Sequence, residues 1–367
     1  MTMTLNRRAF GRGAAALGLA TLAAPAYLRH AHAQTKELNV WAYDGFITDG
    51  LRDRFEAETG AKLNIRMVTD QGEMFNLMMA EQGNHSADIV TCAGHRFYQF
   101  IDAGLLAAVD KGRLTAWDKI LPEYANAGWV SRGGQDWGVP LVVVATGLLY
   151  NTEMVSEKPE SWDVIFSEGF AGKTSYQLQN FMPIVMDYLG HDGSGVSYAG
   201  DTEAAQKAVN AARDFMIEHK SKVRRYYEGP TEVQQMMVTG DIAMAQASSG
   251  PSSQLIIDGF PAAFTIPKEG GQAYAYGFNV VANAKNMDNA YSFLNMLLSD
   301  PVNGAEIVRS TGLESTIAGT ADQLSEAERA ALALSPEERA RLSWVNVETA
   351  AFIFDLVDAA AEEVRAA

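Results

Sequence analysis

Short stretches of this chain carry side chains suited to chemistry. Tyr43-Asp44-Gly45 sets an aromatic ring beside a carboxylate, directly after the apolar run Leu38 to Ala42. A ring and a carboxylate together suit a cation or the polar groups of a small solute. Two readings of Asp44 stand: ligand contact, or a turn in which its carboxylate accepts backbone N–H groups. For Tyr43 ligand contact is favoured. Tyr226-Tyr227 is a pair of adjacent phenols. Phenolates suit a hard cation such as ferric ion, but neighbours on a strand face opposite ways, so only one of them can line a site. His85, His95, His191 and His219 are scattered and show no metal-ligand spacing. No metal or other cofactor is therefore expected, and one of the pair, with Tyr227 as the candidate, reads as an aromatic wall. Ser248-Ser249 precede Gly250-Pro251. A serine nucleophile needs a histidine base oriented by an acid, and no Gly-x-Ser-x-Gly elbow is present. Ser248 reads instead as a hydrogen-bonding group at a helix start, aimed at a polar ligand.

The elements that must position these groups alternate. Leu38 to Tyr43 reads as a strand, and Thr48 to Thr59 as a helix stopped by Gly60. Lys62 to Val68 alternates as a strand, then Asp70 and Glu73 have capping-box spacing. Ala87 to Cys92 is a third strand, followed by a helix through Phe97, Phe100 and Ile101. This spacing predicts a parallel α/β sheet. Leu141 to Tyr150, Lys173 to Gln177, Val223 to Tyr227, Ile242 to Ala247, Ala262 to Ile266 and Tyr276 to Ala282 are further strands. Helices are expected between them and over most of the C-terminal part, including Asp288 to Leu298 and Val345 to Arg365. No linker separates two sheet systems, so the chain is expected to cross between two lobes more than once.

The ends and the composition set the compartment. Asn6-Arg7-Arg8-Ala9-Phe10, the Ala- and Leu-rich run Gly13 to Ala26, and Ala31-His32-Ala33 have the layout of a cleaved export signal of twin-arginine type. The apolar run is too short to span a bilayer. Cleavage near Ala33 removes four arginines and no acid, taking the formal charge from −16 to −20. So acidic a chain is a poor partner for nucleic acid or an anionic membrane. Cys92 is the single cysteine, which excludes an intramolecular disulfide and a cysteine-based metal cluster.

Several stretches match, in order, a known family: LNVWAYDGF, LRDRFEAETGAKLNI, ADIVTCAG, WGVPLVVVATGLLYNTE, MMVTGDIAMAQASSG, FTIPKEGGQAYAYGFNVVANAKN and AYSFLNMLLSDPVNGAEIVRSTG. The chain resembles the solute-binding proteins of ABC importers, in particular the periplasmic spermidine/putrescine-binding branch. That resemblance implies a type II periplasmic binding fold, two α/β lobes with a hinge and a central ligand cleft. The expected layout is lobe 1 over 34–144 and 273–335, lobe 2 over 145–272, and a C-terminal helical segment over 336–367. Val143 to Gly147 and Gly271 to Tyr276 are the expected crossings. A periplasmic monomer is implied, delivering a small polar solute to an inner-membrane permease, with a chemoreceptor open as a second partner.

The resemblance also implies where solute contacts fall, and there this chain departs from the family. Carboxylates are expected at positions held here by Gln177, Asn180 and Tyr276; an aromatic at Gln246; a tyrosine pair at His95-Arg96. Amides, hydroxyls and one guanidinium replace negative charge. An arginine fork favours a carboxylate ligand, though Arg96 reads equally as a surface ion pair. Acids remaining in play are Asp44, Glu73, Glu228 and Glu314. The expected solute is zwitterionic, opine- or amino-acid-like. Spermidine, putrescine or ferric ion is the alternative, and an exported hydrolase or lyase on the same scaffold the alternative of another class.

Overall fold

The computed structural model describes residues 36–125 and 128–367, so the expected export signal lies outside the described residues. β1 (Glu37–Ala42) leads to α1 (Asp49–Thr59). Thr48 caps α1, its hydroxyl accepting from the Leu51 N–H, and Gly60 ends it in the left-handed conformation at φ 69°. β2 (Lys62–Met67) follows, then α2 (Gln71–Ala80), where Asp70 accepts from the Glu73 N–H at 2.7 Å. β3 (Ile89–Ala93) is fully buried and runs through a single 3-10 turn, Gly94–Arg96, into α3 (Phe97–Asp102).

β4 (Val139–Asn151) is buried along its whole length. Next come β5 (Thr174–Tyr176), α4 (Leu178–Tyr188), α5 (Thr202–His219), β6 (Val223–Tyr226), α6 (Pro230–Val238), β7 (Met244–Ser248), α7 (Ser249–Ile257) and β8 (Ala262–Thr265). β9 (Gly271–Val280) returns beside β4 and precedes α8 (Met287–Ser299), α9 (Pro301–Thr311) and the short β10 (Glu314–Ser315). β9 begins earlier than expected, because the period-two alternation of Gln272 to Tyr276 already satisfies a strand. The chain closes with α10 (Glu326–Leu332), α11 (Pro336–Ala340), β11 (Leu342–Trp344), α12 (Val347–Ala350) and α13 (Phe354–Ala366). The single helix expected from Val345 is thus divided, since Asn346 caps α12 and the backbone breaks again at Ile353.

Among the described residues eleven strands make one sheet with the path β2-β1-β3-β9-β4-β7-β5-β6; β8 and β10 pair with β4, and β11 with β9, while Ser131–Arg132 and Gln135–Asp136 pair as a separate two-stranded sheet. The expectation of a parallel sheet needs correction. The two arms are parallel, β1 with β2 and β3, and β5 with β6 and β7, but β3–β9, β9–β4 and β4–β7 are antiparallel. The cause is the pair of long strands at the centre. β4 passes from one arm to the other, pairing with β9 over Val139–Thr146 and with β7 over Thr146–Tyr150, and β9 brings the chain back in the opposite sense. Lys36–Ala367 packs as one compact unit.

Candidate functional site

The register of the central strands decides which side chains share a face. Side chains alternate along a strand, and directly paired residues point the same way. Val142, Val144, Thr146 and Leu148 of β4 pair with Tyr276, Tyr274 and Gln272 of β9 and with Ser248 and Gln246 of β7. All these positions therefore lie on one face of the crossing strands.

At one end of that face the rings gather. Tyr43 follows β1, and its ring lies 5.4 Å from that of Tyr276 and 6.0 Å from that of Phe46. Phe46 and Tyr276 are 5.2 Å apart, and Tyr274 and Tyr276 5.7 Å. The Tyr43 backbone N–H donates to Thr91 Oγ1 at 3.2 Å, and its hydroxyl donates to Gln71 Oε1 at 3.4 Å. Burial raises the phenols of Tyr43, Tyr274 and Tyr276 above their ordinary value, so they stay protonated. His95 packs edge-on to Tyr274 at 4.6 Å and tilted on Phe354 of α13 at 5.0 Å. Burial, then the Arg96 charge, lowers His95 well below the usual imidazole value, so its ring is neutral at pH 7. Two buried nitrogens here have no hydrogen-bond partner among the described residues, Gln71 Nε2 and His95 Nδ1. Buried polar groups are ordinarily paired.

At the other end the groups are amides. Gln177 precedes α4; its N–H donates to Oε1 of the buried Gln246 at 2.9 Å, and its Nε2 donates to the Glu228 carbonyl at 2.9 Å. Asn180 Nδ2 donates to Gln177 Oε1. Gln177, Asn180 and Gln246 thus form one network at the ends of β5 and β7. Along β4, Leu148 and Val142 are six residues apart, so the amides and the rings are separated by about 20 Å.

α13 reaches both ends. Arg96 makes a bidentate pair with Asp358 at 2.5 and 2.8 Å, and the Tyr98 hydroxyl donates to Asp355 at 2.7 Å. At the far end Arg365 pairs with Glu228 at 2.7 Å. Phe354 to Arg365 spans about 17 Å of helix, matching the distance between the two clusters.

Some candidate residues sit elsewhere. Tyr227 is 4 % exposed, its hydroxyl donates to the Gln246 carbonyl at 3.0 Å, and its ring belongs to the core beneath α6 and α7. Tyr226 takes the other face and packs on Tyr176 at 5.3 Å. The guanidinium of Arg96 is filled by Asp358. Asp44 is exposed, with no hydrogen bond among the described residues. Ser248 stands at the start of α7 without a side-chain capping bond. Glu314 accepts from the Tyr124 hydroxyl and pairs with Arg339, beside Val143 and therefore on the opposite face. Among the described residues no three His, Cys, Asp or Glu are grouped to hold a metal. Sequence reasoning passed over Phe46, Gln71, Tyr274, Phe354 and Asp358. Tyr274 was legible, two residues before Tyr276 on the same face; Asp358 was not, being 262 positions from its partner.

Two parallel arms bridged by long antiparallel strands, with rings and amides on one face where the arms meet, define the type II periplasmic binding fold. Solved structures of that class superpose on this chain. The spermidine/putrescine ABC transporter substrate-binding protein PotD of Streptococcus pneumoniae has a TM-score of 0.74 at 18% identity, covering 90% of this chain and 100% of that one. The PBP MotA from A. tumefaciens B6, in complex with glucopine, has a TM-score of 0.70 at 18% identity, covering 90% and 99%. Among sequences, the putrescine-binding periplasmic protein PotF of Escherichia coli (strain K12) is 26% identical over 290 residues, 74% of this chain and 75% of that protein. Residues 50–331 match the bacterial extracellular solute-binding proteins, and the chain belongs to that family. It is a substrate-binding component of the ABC-transporter class.

Proposed function

We propose that this protein captures a small zwitterionic solute, opine- or amino-acid-like, in the periplasm and hands it to an inner-membrane permease without chemical change. One observation carries the reading: the face between the arms offers amides, phenols and two unpartnered buried nitrogens, Gln71 Nε2 and His95 Nδ1. Of the acids near it, Asp355 and Asp358 are engaged with the 96–98 turn and Glu228 with Arg365, while Asp44, next to Tyr43, is an open carboxylate. A diamine needs two open carboxylates, whereas a zwitterion can set its ammonium on Asp44 and its carboxylate on Gln71 Nε2, with His95 Nδ1 donating in the tautomer that carries its proton there. The rings of Tyr43, Phe46, Tyr274 and Tyr276 favour a second reading, an amine held by cation–π contact, in keeping with the putrescine- and spermidine-binding relatives. Tyr227 lies in the core beneath α6 and α7, and among the described residues no trio of His, Cys, Asp or Glu is grouped to hold a metal, which weighs against ferric ion.

In this reading 34–144 with 273–335 and 145–272 act as lobes, 336–367 straps them, and β4 and β9 bend as they close. The chain is exported through its first 33 residues and works as a monomer, with no role for nucleic acid. The test is a thermal-shift screen of the mature chain against opines, amino acids, organic acids, sugars and polyamines. A saturable shift with zwitterions or anions is expected. A shift with putrescine or spermidine alone overturns the choice of solute, and turnover of any ligand overturns the binding role.

A further inference from the structure

The other face of the crossing strands holds a cavity that the proposed cleft does not use. Val143 and Ala145, the positions alternate to Val142 and Val144, form its floor. The inner chamber measures about 230 Å³ and is lined by apolar side chains, among them Ile256, Phe264, Leu334 and Leu342, together with Ser249, Ser253 and backbone polar groups, so its wall is about as polar as apolar. It opens past Glu314, Arg339 and Trp344 into a wider groove of about 640 Å³ lined also by Glu123, Tyr124 and Trp129. At this mouth the indoles of Trp129 and Trp344 stack at 4.2 Å and 7°. Glu314 accepts from Tyr124 Oη at 2.8 Å and from Arg339 at 3.0 Å. Glu123, Glu314 and Arg339 together leave one net negative charge at the mouth.

We infer that this cavity is a second ligand site, for a small primary amine with an apolar body. A cavity of roughly 150 Å³ has room for benzene, so by volume the chamber of about 230 Å³ holds a phenyl ring with a short alkyl arm, the ring lying against Ile256, Phe264, Leu334 and Leu342. The ammonium then lies at the mouth, where the net charge is negative and indole faces attract cations. A carboxylate head is disfavoured, because the guanidinium of Arg339 is already matched by Glu314. Because Val143 and Ala145 belong to β4, the occupant touches the strand that bends on closure.

The test is calorimetric titration of the mature chain with phenethylamine, with phenylacetate as the control of opposite charge. Saturable one-site binding of the amine, at least tenfold tighter than of the acid, is expected. Ala331→Leu, which fills the chamber, is expected to abolish it. Glu314→Gln leaves the chamber open and is expected to weaken it about tenfold, and this variant decides alone if Ala331→Leu does not fold. Tyr43→Ala with Gln177→Ala, which alters the proposed cleft, is expected to leave it unchanged. Absence of saturable binding, equal binding of phenylacetate, full binding by Glu314→Gln, or loss in the Tyr43/Gln177 double variant overturns the second site. The last result places the amine in the cleft, so failure of this inference is separable from failure of the proposed function.

Discussion

Single side chains set the polarity of the proposed cleft, and each can be tested alone. Gln246 is 1 % exposed and its Oε1 is the acceptor for the Gln177 N–H. Gln246→Ala strands that donor, which costs about 1–3 kcal/mol; a urea midpoint unchanged from wild type would refute the pairing. Tyr43→Ala with Gln177→Ala removes a ring from one cluster and the hub of the other. Solute affinity is expected to fall at least tenfold by calorimetry, and an unaltered Kd would place the solute elsewhere. Asp187 in α4 gives a pH signature. Its carboxyl is pushed up to about 7, by burial first, with the Gly193 N–H bond opposing and the charge of Asp192 adding. An unfolded aspartate ionises near 4. Between about 4 and 7 the folded chain keeps a proton that the unfolded chain has lost, so stability is full below this window and falls as pH rises through it. Asp187→Asn keeps an acceptor for Gly193 N–H, now 2.8 Å from the carboxylate, and has nothing to ionise. It is expected to match wild type at pH 4 and to be more stable at pH 8, by on the order of 2–4 kcal/mol. An equal gain at both pH values would show packing, not ionisation, at work.

Elements show where local sequence is enough and where it is not. α1 was legible because its start and stop are local: Thr48 caps it and Gly60 supplies the positive φ. β4 was legible as an apolar run, but its change of partners between arms was not, because strand direction depends on residues far along the chain. The pair Tyr226-Tyr227 shows the same division: alternation says that the two rings face opposite ways, while tertiary packing decides that Tyr227 joins the core beneath α6 and α7 and Tyr226 packs on Tyr176. α13 was legible as a helix and illegible as a wall of the cleft, since Asp358 finds Arg96 only through the tertiary fold. Its ties give a prediction at this scale. Asp358→Asn removes the bidentate partner of Arg96 and frees a guanidinium beside the ring cluster. Stability is expected to drop by about 1 kcal/mol, and affinity for a carboxylate-bearing solute to rise, as measured by calorimetry. Unchanged anion affinity would mean that Arg96 does not reach the solute.

For the molecule as a whole, the proposed closure requires that the central strands bend without parting. A side chain on Gly271 would put its Cβ 2.2 Å from the Thr146 carbonyl oxygen on β4, and one on Gly147 would lie 2.6 Å from the Thr265 carbonyl oxygen on β8. Both glycines lie where crossing strands approach backbone to backbone, at the level where β4 changes partners. Each arm is a parallel sheet, so in the proposed closure the bending is expected at this level. α13, tied to Arg96 and Tyr98 at one end and to Glu228 at the other, is expected to limit how far the arms open in the proposed motion. A saturating solute is therefore expected to lower the radius of gyration in X-ray scattering while adding about 2.7 kcal/mol of stability at a hundredfold excess over Kd. Gly271→Ala, which wedges β9 from β4, is expected to reduce both effects while leaving the rings and amides in place. If the solute stabilises the chain fully and the radius does not change, the site is preformed and the hinge does no work in binding.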